Sequence, residues 1–162
     1  MGYELERWHD FFVMLGGAAA ALAGLVFVGL SVHAREVARH ALNRTRARNL
    51  IVGNASLVLV AALALIPGQS TRLLGVEILI AGILVGILFL EPWIKWRPQL
   101  DAATRARTLL ANMGSVFSIL AGISLVVGHG GGLYLLMPSV VIGVVTNVIG
   151  AWSLLLRVAD EA

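Results

Sequence analysis

The stretch "ERWHDFFVMLGGAAAALAGLVFVGLSVHAREVAR", residues 6–39, decides the class of the chain. It opens on an acid, an arginine, a tryptophan and a histidine, runs uncharged from Phe11 to Val32, and ends among arginines. About 20 apolar residues in a helix cross about 30 Å of hydrocarbon, so the run is long enough to span a bilayer. A secretory signal has a basic leader, an apolar core of roughly 7–15 residues and a small-residue cleavage site after it. Here the leader "MGYELERWHD" is acidic, the core is longer, and the alanines lie inside it. The stretch reads as a retained first span, about residues 11–33.

Composition agrees. Of the 162 residues, 59% are hydrophobic and 13% charged, and the mean hydropathy is +0.90. A soluble domain is about 45–50% apolar and about 25% charged, so this chain has too little polar surface to wrap a water-soluble globule. The absence of cysteine excludes disulfides, thiolate zinc sites, iron–sulfur clusters and covalently attached haem.

Four more apolar runs follow, at about 50–66, 73–91, 108–128 and 133–156. The expected fold is therefore an all-α integral membrane protein, a five-helix transmembrane bundle forming a single domain over 1–162, with basic loops at 34–49 and 92–107. The short second run keeps a re-entrant segment open as an alternative. Pro138 predicts a kink or a late start in the last helix. Asp101 is placed to cap a helix that starts ahead of the fourth span.

Orientation follows from the basic residues near span ends. With five spans, one side receives Arg7 and Arg72. The other receives Arg35, Arg39, Arg44, Arg46, Arg48, Lys95, Arg97, Arg105, Arg107 and Arg157, a division of ten against two. The N-terminus is expected outside and the C-terminus in the cytoplasm. The aromatics fit, with Trp8 and Tyr134 at the outer boundary and Trp93, Trp96 and Trp152 near the inner one, the headgroup level that amphipathic rings favour. Arg46, Arg48, Arg105 and Arg107 are expected among anionic lipid headgroups. They flank spans and form no nucleic-acid-binding motif.

"TRAR" occurs twice, at Thr45–Arg48 and Thr104–Arg107, an offset of 59 that also pairs Leu50 with Leu109, Ser56 with Ser115, Ala62 with Ala121 and Trp93 with Trp152. The match suggests a duplicated hairpin of parallel orientation, spans 2–3 and 4–5, or else chance similarity between apolar helices.

Membrane helices associate through close packing, since lipid tails are as apolar as leucine. Gly16, Ala20 and Gly24 form a small-residue stripe on the first helix, Gly82 and Gly86 on the third, and Gly143, Asn147 and Gly150 on the last. Such stripes serve contacts within a chain or between copies, and a homo-oligomer is expected.

Glu77 lies just inside the third span, where a carboxylate is costly and marks a functional candidate; alternatively it snorkels or pairs with Arg72. Asn112, Ser115 and Ser118 share a face of the fourth helix, and Asn147 lies near the middle of the fifth. This set reads either as the lining of a hydrated path or as interhelical glue. No metal-ligand spacing, nucleophile–base pair or cofactor fingerprint accompanies it, so neither an enzyme nor a cofactor is expected. "HGGG" at 129–132 reads as a turn.

The opening "WHDFF" followed by "GGAAAALAGLVFVGLS" resembles the start of a group of small, uncharacterised bacterial multi-pass inner-membrane proteins. The resemblance covers about Trp8–Ser31 and implies a bacterial cytoplasmic membrane. The leading expectation is a homo-oligomeric permeation path for small ions or solutes built on Glu77, Asn112, Ser115, Ser118 and Asn147. The alternative is a non-conducting accessory or scaffold protein that binds another membrane protein.

Overall fold

The computed structural model describes residues 2–96, 98 and 100–160, with side chains described through Leu156. Six α-helices follow one another: α1 (His9–Val32), α2 (Ala34–Arg39), α3 (Ala41–Ala64), α4 (Thr71–Trp96), α5 (Ala102–Val127) and α6 (Leu136–Asp160). Short 3-10 turns at Leu5–Trp8 and Gly132–Leu135 lead into α1 and α6. All but α2 are long and apolar enough to cross a membrane. Among the described residues there is no strand. A chain in lipid must satisfy its backbone groups internally, and helices do so within one segment.

The helices outrun the hydropathy. α3 begins at Ala41 instead of residue 50, and α5 at Ala102 instead of 108. The expected basic loops 34–49 and 92–107 are thus mostly helix, and both "TRAR" tetrads lie within the first two or three turns of α3 and α5. Hydropathy marks the stretch that meets hydrocarbon, whereas arginine and alanine are good helix formers that carry the helix into water. α4 continues through Pro92 to Trp96. Arg97 lies outside the described residues, as does the side chain of Arg157.

Local chemistry sets the ends. His40, extended at φ −114°, ψ 125°, separates α2 from α3. Asp101 caps α5, its carboxylate accepting from the Thr104 amide at 3.3 Å and the Thr104 hydroxyl at 2.6 Å. Gly128, left-handed at φ +79°, ends α5, as glycine commonly ends helices. Pro138 falls in the first turn of α6, so the last helix starts late.

α3, α4, α5 and α6 form a ring in which each packs on the next and α6 closes on α3; α1 lies outside, mainly against α3. Small residues set the tightest seam. A methyl on Gly122 of α5 would come within 2.8 Å of the Gly75 carbonyl and the Leu79 backbone nitrogen of α4. Gly82 and Gly86 continue this seam against Ser118 and Ser115. Gly143 and Gly150 lie on the α3 leucines Leu57 and Leu50. Gly16 meets Ala61, but Ala20 is exposed and Gly24 faces open space. The expected α1 stripe is therefore split: Phe12, Leu15 and Ala19 are its buried face, and Ala20 and Gly24 point outward. The outer surface of the bundle is apolar, with Leu25, Phe27, Ile80, Ile94 and Val127 all more than half exposed.

Candidate functional site

The ring encloses polar side chains. Between its four helices lies a cavity of about 60 Å³ lined by Ser56 of α3, Gly82 of α4, Ser115 and Ser118 of α5, and Ser139, Thr146 and Asn147 of α6, among apolar neighbours. A second cavity, also about 60 Å³, lies toward the arginine-rich end, lined by Thr45, Arg46, Asn49, Thr104, Arg107 and Thr108. Phe89, Ala111, Thr146 and Asn147 border both, so the two cavities stack into one column. Each has room for on the order of four waters.

Asn147 is the junction. Its side chain also borders a third hollow of about 220 Å³, apolar and open to the membrane side between α1, α3 and α6. Asn147 is 7% exposed. Its amide has no hydrogen-bond partner among the described residues. An unsatisfied amide in a non-aqueous interior costs several kcal/mol, and the polar atoms of Asn147 are left accessible from the hollows they border. Gly53 makes the room: a methyl there would sit 2.6 Å from the Asn147 Oδ1.

The hydroxyls present oxygen lone pairs. Ser56 donates to the Gly53 carbonyl at 2.8 Å, Thr146 to Ile142 at 2.7 Å and Thr108 to Thr104 at 2.8 Å. Ser118 and Ser139 share a hydrogen bond of 2.7 Å across α5 and α6. Most of these protons are spent within the protein, so the hydroxyls present mainly acceptor lone pairs to the cavity; the accepting hydroxyl of the Ser118–Ser139 pair keeps a proton to donate, and Asn147 contributes N–H donors. Among the described residues no carboxylate lines the column; its charged lining residues are Arg46 and Arg107 at one end, where Asp101 lies 3.7 Å from Arg46.

An apolar cluster lies toward the opposite end. Leu74, Ile78, Leu125, Leu133 and Leu136, all at most 2% exposed, belong to one buried apolar cluster, of which Ile78 and Leu136 border the inner cavity. The N-terminal segment covers it. The Leu133 amide donates to the Gly2 carbonyl at 2.8 Å, the Gly131 amide to the Tyr3 hydroxyl at 2.9 Å, and the Thr71 hydroxyl to the Tyr3 carbonyl at 3.0 Å. Trp8 and Tyr134 meet edge to face at 4.9 Å. "HGGG" is a turn, with Gly130, Gly131 and Gly132 all at positive φ.

Three of the five path candidates, Ser115, Ser118 and Asn147, come together here. Two do not. Asn112 donates to Thr108 at 2.8 Å and to the Phe89 carbonyl of α4 at 3.4 Å, joining the helices. Glu77 accepts from Gln69 at the far end, outside the column, and so pairs with an amide and not with Arg72. Ser56, Ser139 and Thr146 were not anticipated. Ser56 was visible as the repeat partner of Ser115, while nothing in the local pattern distinguishes Ser139.

No protein family, curated protein or solved structure matches this chain.

The four tetrad arginines divide. Arg46 and Arg107 turn into the column, Arg48 pairs with Glu91, and Arg105 is exposed. Glu91 also binds Lys95 at 3.0 Å.

Proposed function

We propose that this chain is a multi-pass protein of the bacterial cytoplasmic membrane, N-terminus outside and arginine-rich end inside. Its helix ring forms a path for small uncharged, hydrogen-bonding solutes. The observation that carries this reading is the Asn147 side chain, 7% exposed and without a hydrogen-bond partner among the described residues, where two hydroxyl-lined cavities meet. A column lined by no carboxylate among the described residues offers a cation no counter-charge, and hydroxyls that present mainly lone pairs hold anions poorly. Polyols, urea and water present donors to those oxygens. On this reading the arginine-rich end is the mouth, and the buried cluster around Leu74 and Leu133 is the closed end. The division of basic residues supports the orientation.

The ring also accommodates the duplicated hairpin. Thr45 and Thr104, matched by the repeat, border one cavity, and Ser56 and Ser115 border the other, as a two-fold about the ring axis requires. Leu50, buried, and Leu109, exposed, are not alike.

Stopped-flow swelling of proteoliposomes in glycerol or urea tests the path. Swelling faster than empty vesicles, lost in Asn147→Leu, is expected. Rates equal to empty vesicles contradict it, and chloride or potassium current without solute flux reassigns the permeant.

A second reading, a non-conducting accessory protein, draws on the outward face of α1. Gly17 and Gly24 meet nothing within 4 Å, and Ala20 and Ala21 between them are exposed. Small residues at this spacing suit close helix contact, and we assign the face to self-association or to a partner helix. The mass of the detergent-solubilised complex, with Gly24→Leu as comparison, separates monomer from oligomer.

A further inference from the structure

The hollow between α1, α3 and α6 is the largest of the three, about 220 Å³ against about 60 Å³ for each column cavity. Leu22 and Val26 of α1 face Val148 of α6 across it. Leu25 and Trp152 at its border are 70% and 65% exposed, so it opens on the outer, apolar surface of the bundle. Among the described residues no charged side chain lines it. Two amides stand in this apolar wall: Asn54 of α3, 1% exposed, and Asn147 of α6, 7% exposed. Asn54 donates to the Leu50 carbonyl at 3.0 Å, but its Oδ1 has no hydrogen-bond partner. Asn147 has none for either end of its amide among the described residues. Two amide oxygens and one amino group therefore stand unsatisfied beside a space that opens toward hydrocarbon, and a lipid tail can satisfy none of them. The Asn54 oxygen is sealed in, whereas the Asn147 amide is accessible, so Asn147 is the group an occupant meets.

We propose that this hollow is a lateral binding site for a lipid-soluble hydroxyl compound, an alcohol or phenol that enters from the bilayer and hydrogen-bonds to Asn147. A hydroxyl both donates to an amide oxygen and accepts from an amide nitrogen, so one group meets both needs of Asn147. A charged head finds no counter-charge here and pays heavily for leaving water. A cavity of about 150 Å³ holds benzene, so the larger space suits one substituted ring. The site shares Asn147 with the column but stands on its own geometry, whether or not the column conducts.

Thermal unfolding in dodecyl maltoside tests it with three compounds of one carbon skeleton: thymol, a phenol; menthol, an alcohol; and p-cymene, which lacks the hydroxyl. Saturable stabilisation of the wild type by thymol, menthol or both is expected, with p-cymene about tenfold weaker or more, as loss of a buried hydrogen bond implies. Thymol alone assigns a phenol, menthol alone an aliphatic alcohol, and both a hydroxyl of either kind; each supports the site. Asn147→Leu is expected to abolish the preference over p-cymene. Val148→Phe, which fills the hollow from a position 47% exposed, is expected to abolish binding without disturbing the ring. Val145→Phe, on the same helix and 48% exposed, borders none of the three cavities and should bind as the wild type does. Stabilisation by p-cymene equal to that by the hydroxyl compounds assigns the hollow to lipid tails or a neighbouring helix and overturns the proposal. So does the absence of a saturable shift, a hydroxyl preference that survives in Asn147→Leu, or binding that persists in Val148→Phe. None of these outcomes bears on solute flux through the column, which the swelling assay reads separately.

Discussion

Gly53 of α3 lies directly against the side chain of Asn147 of α6: a single methyl on the glycine would stand 2.6 Å from the amide oxygen and 2.9 Å from the amide nitrogen. The missing side chain on one helix is what lets a polar one occupy the centre of the ring. Gly53→Ala therefore forces Asn147 out of its position. Overpacking of this kind costs about 1–3 kcal/mol of stability. If the misplaced amide adds about 1.4 kcal/mol to the barrier, solute flux falls by roughly tenfold. Swelling rates and detergent unfolding of the same preparation check both effects.

The α4–α5 seam predicts a contrast among glycines. In Gly122→Ala the new methyl meets backbone at 2.8 Å, and rigid backbone cannot yield as a flexible side chain does. A loss of about 1–3 kcal/mol is expected. Gly24→Ala meets nothing within 4 Å, so its effect on the monomer stays within about 0.5 kcal/mol of zero, apart from a helix-propensity gain. Unfolding of the two variants side by side in detergent reads the difference.

Glu77 is expected to be dispensable for flux. A carboxylate near the end of an apolar helix looks like part of a pathway, but it accepts from Gln69 and borders none of the column cavities. Glu77→Gln should leave swelling rates at the wild-type value. A loss comparable to that of Asn147→Leu would move the path to the other face of α4.

Asp101 holds two roles, capping α5 through Thr104 and approaching Arg46 at 3.7 Å. Replacing a cap of this type by alanine costs about 0.5–2 kcal/mol. Asp101→Asn retains an acceptor for the cap and removes the charge, so it should lose less stability than Asp101→Ala. Denaturant titration of the two variants separates the cap from the ion pair.

Glu91 bridges Arg48 of α3 and Lys95 of its own helix, its side chain 22% exposed and those of its partners 42% and 63%. Exposed pairs contribute about 0–1 kcal/mol and are screened by salt. Glu91→Gln should therefore be mildly destabilising in dilute buffer and close to neutral at high salt, as parallel melts at two ionic strengths would show.

The sequence made some features legible and hid others for a common reason. Five apolar runs announced five long helices, because bilayer thickness sets a length that few other constraints impose. Gly82 and Gly86 were recognisable as packing residues because a glycine pair four apart in a membrane helix has little other purpose. Which face of each helix turns inward was much harder to read. Lipid and protein interior are both apolar, so hydrophobic periodicity does not separate them. Gly16 and Gly24 look alike in sequence, yet one meets Ala61 and the other faces outward. Asn112 and Ser115 are neighbours on one helix, yet the amide joins α4 while the hydroxyl borders the cavity. The ends of α3 and α5 were displaced because arginine-bearing turns remain helical beyond the hydrocarbon.

The most direct test of a hydrated column inside a single ring uses the absence of native cysteine. Ser56→Cys, Ser115→Cys and, as a lipid-facing control, Val116→Cys (54% exposed to the outside of the bundle) are placed in inside-out membrane vesicles. With the proposed orientation these present the arginine-rich end to the bath. The vesicles are exposed briefly to Ag⁺, quenched, denatured and titrated for remaining thiol. A water-continuous column predicts rapid loss of both cavity thiols and slow loss at residue 116. Cavity thiols that survive as long as the control would contradict it.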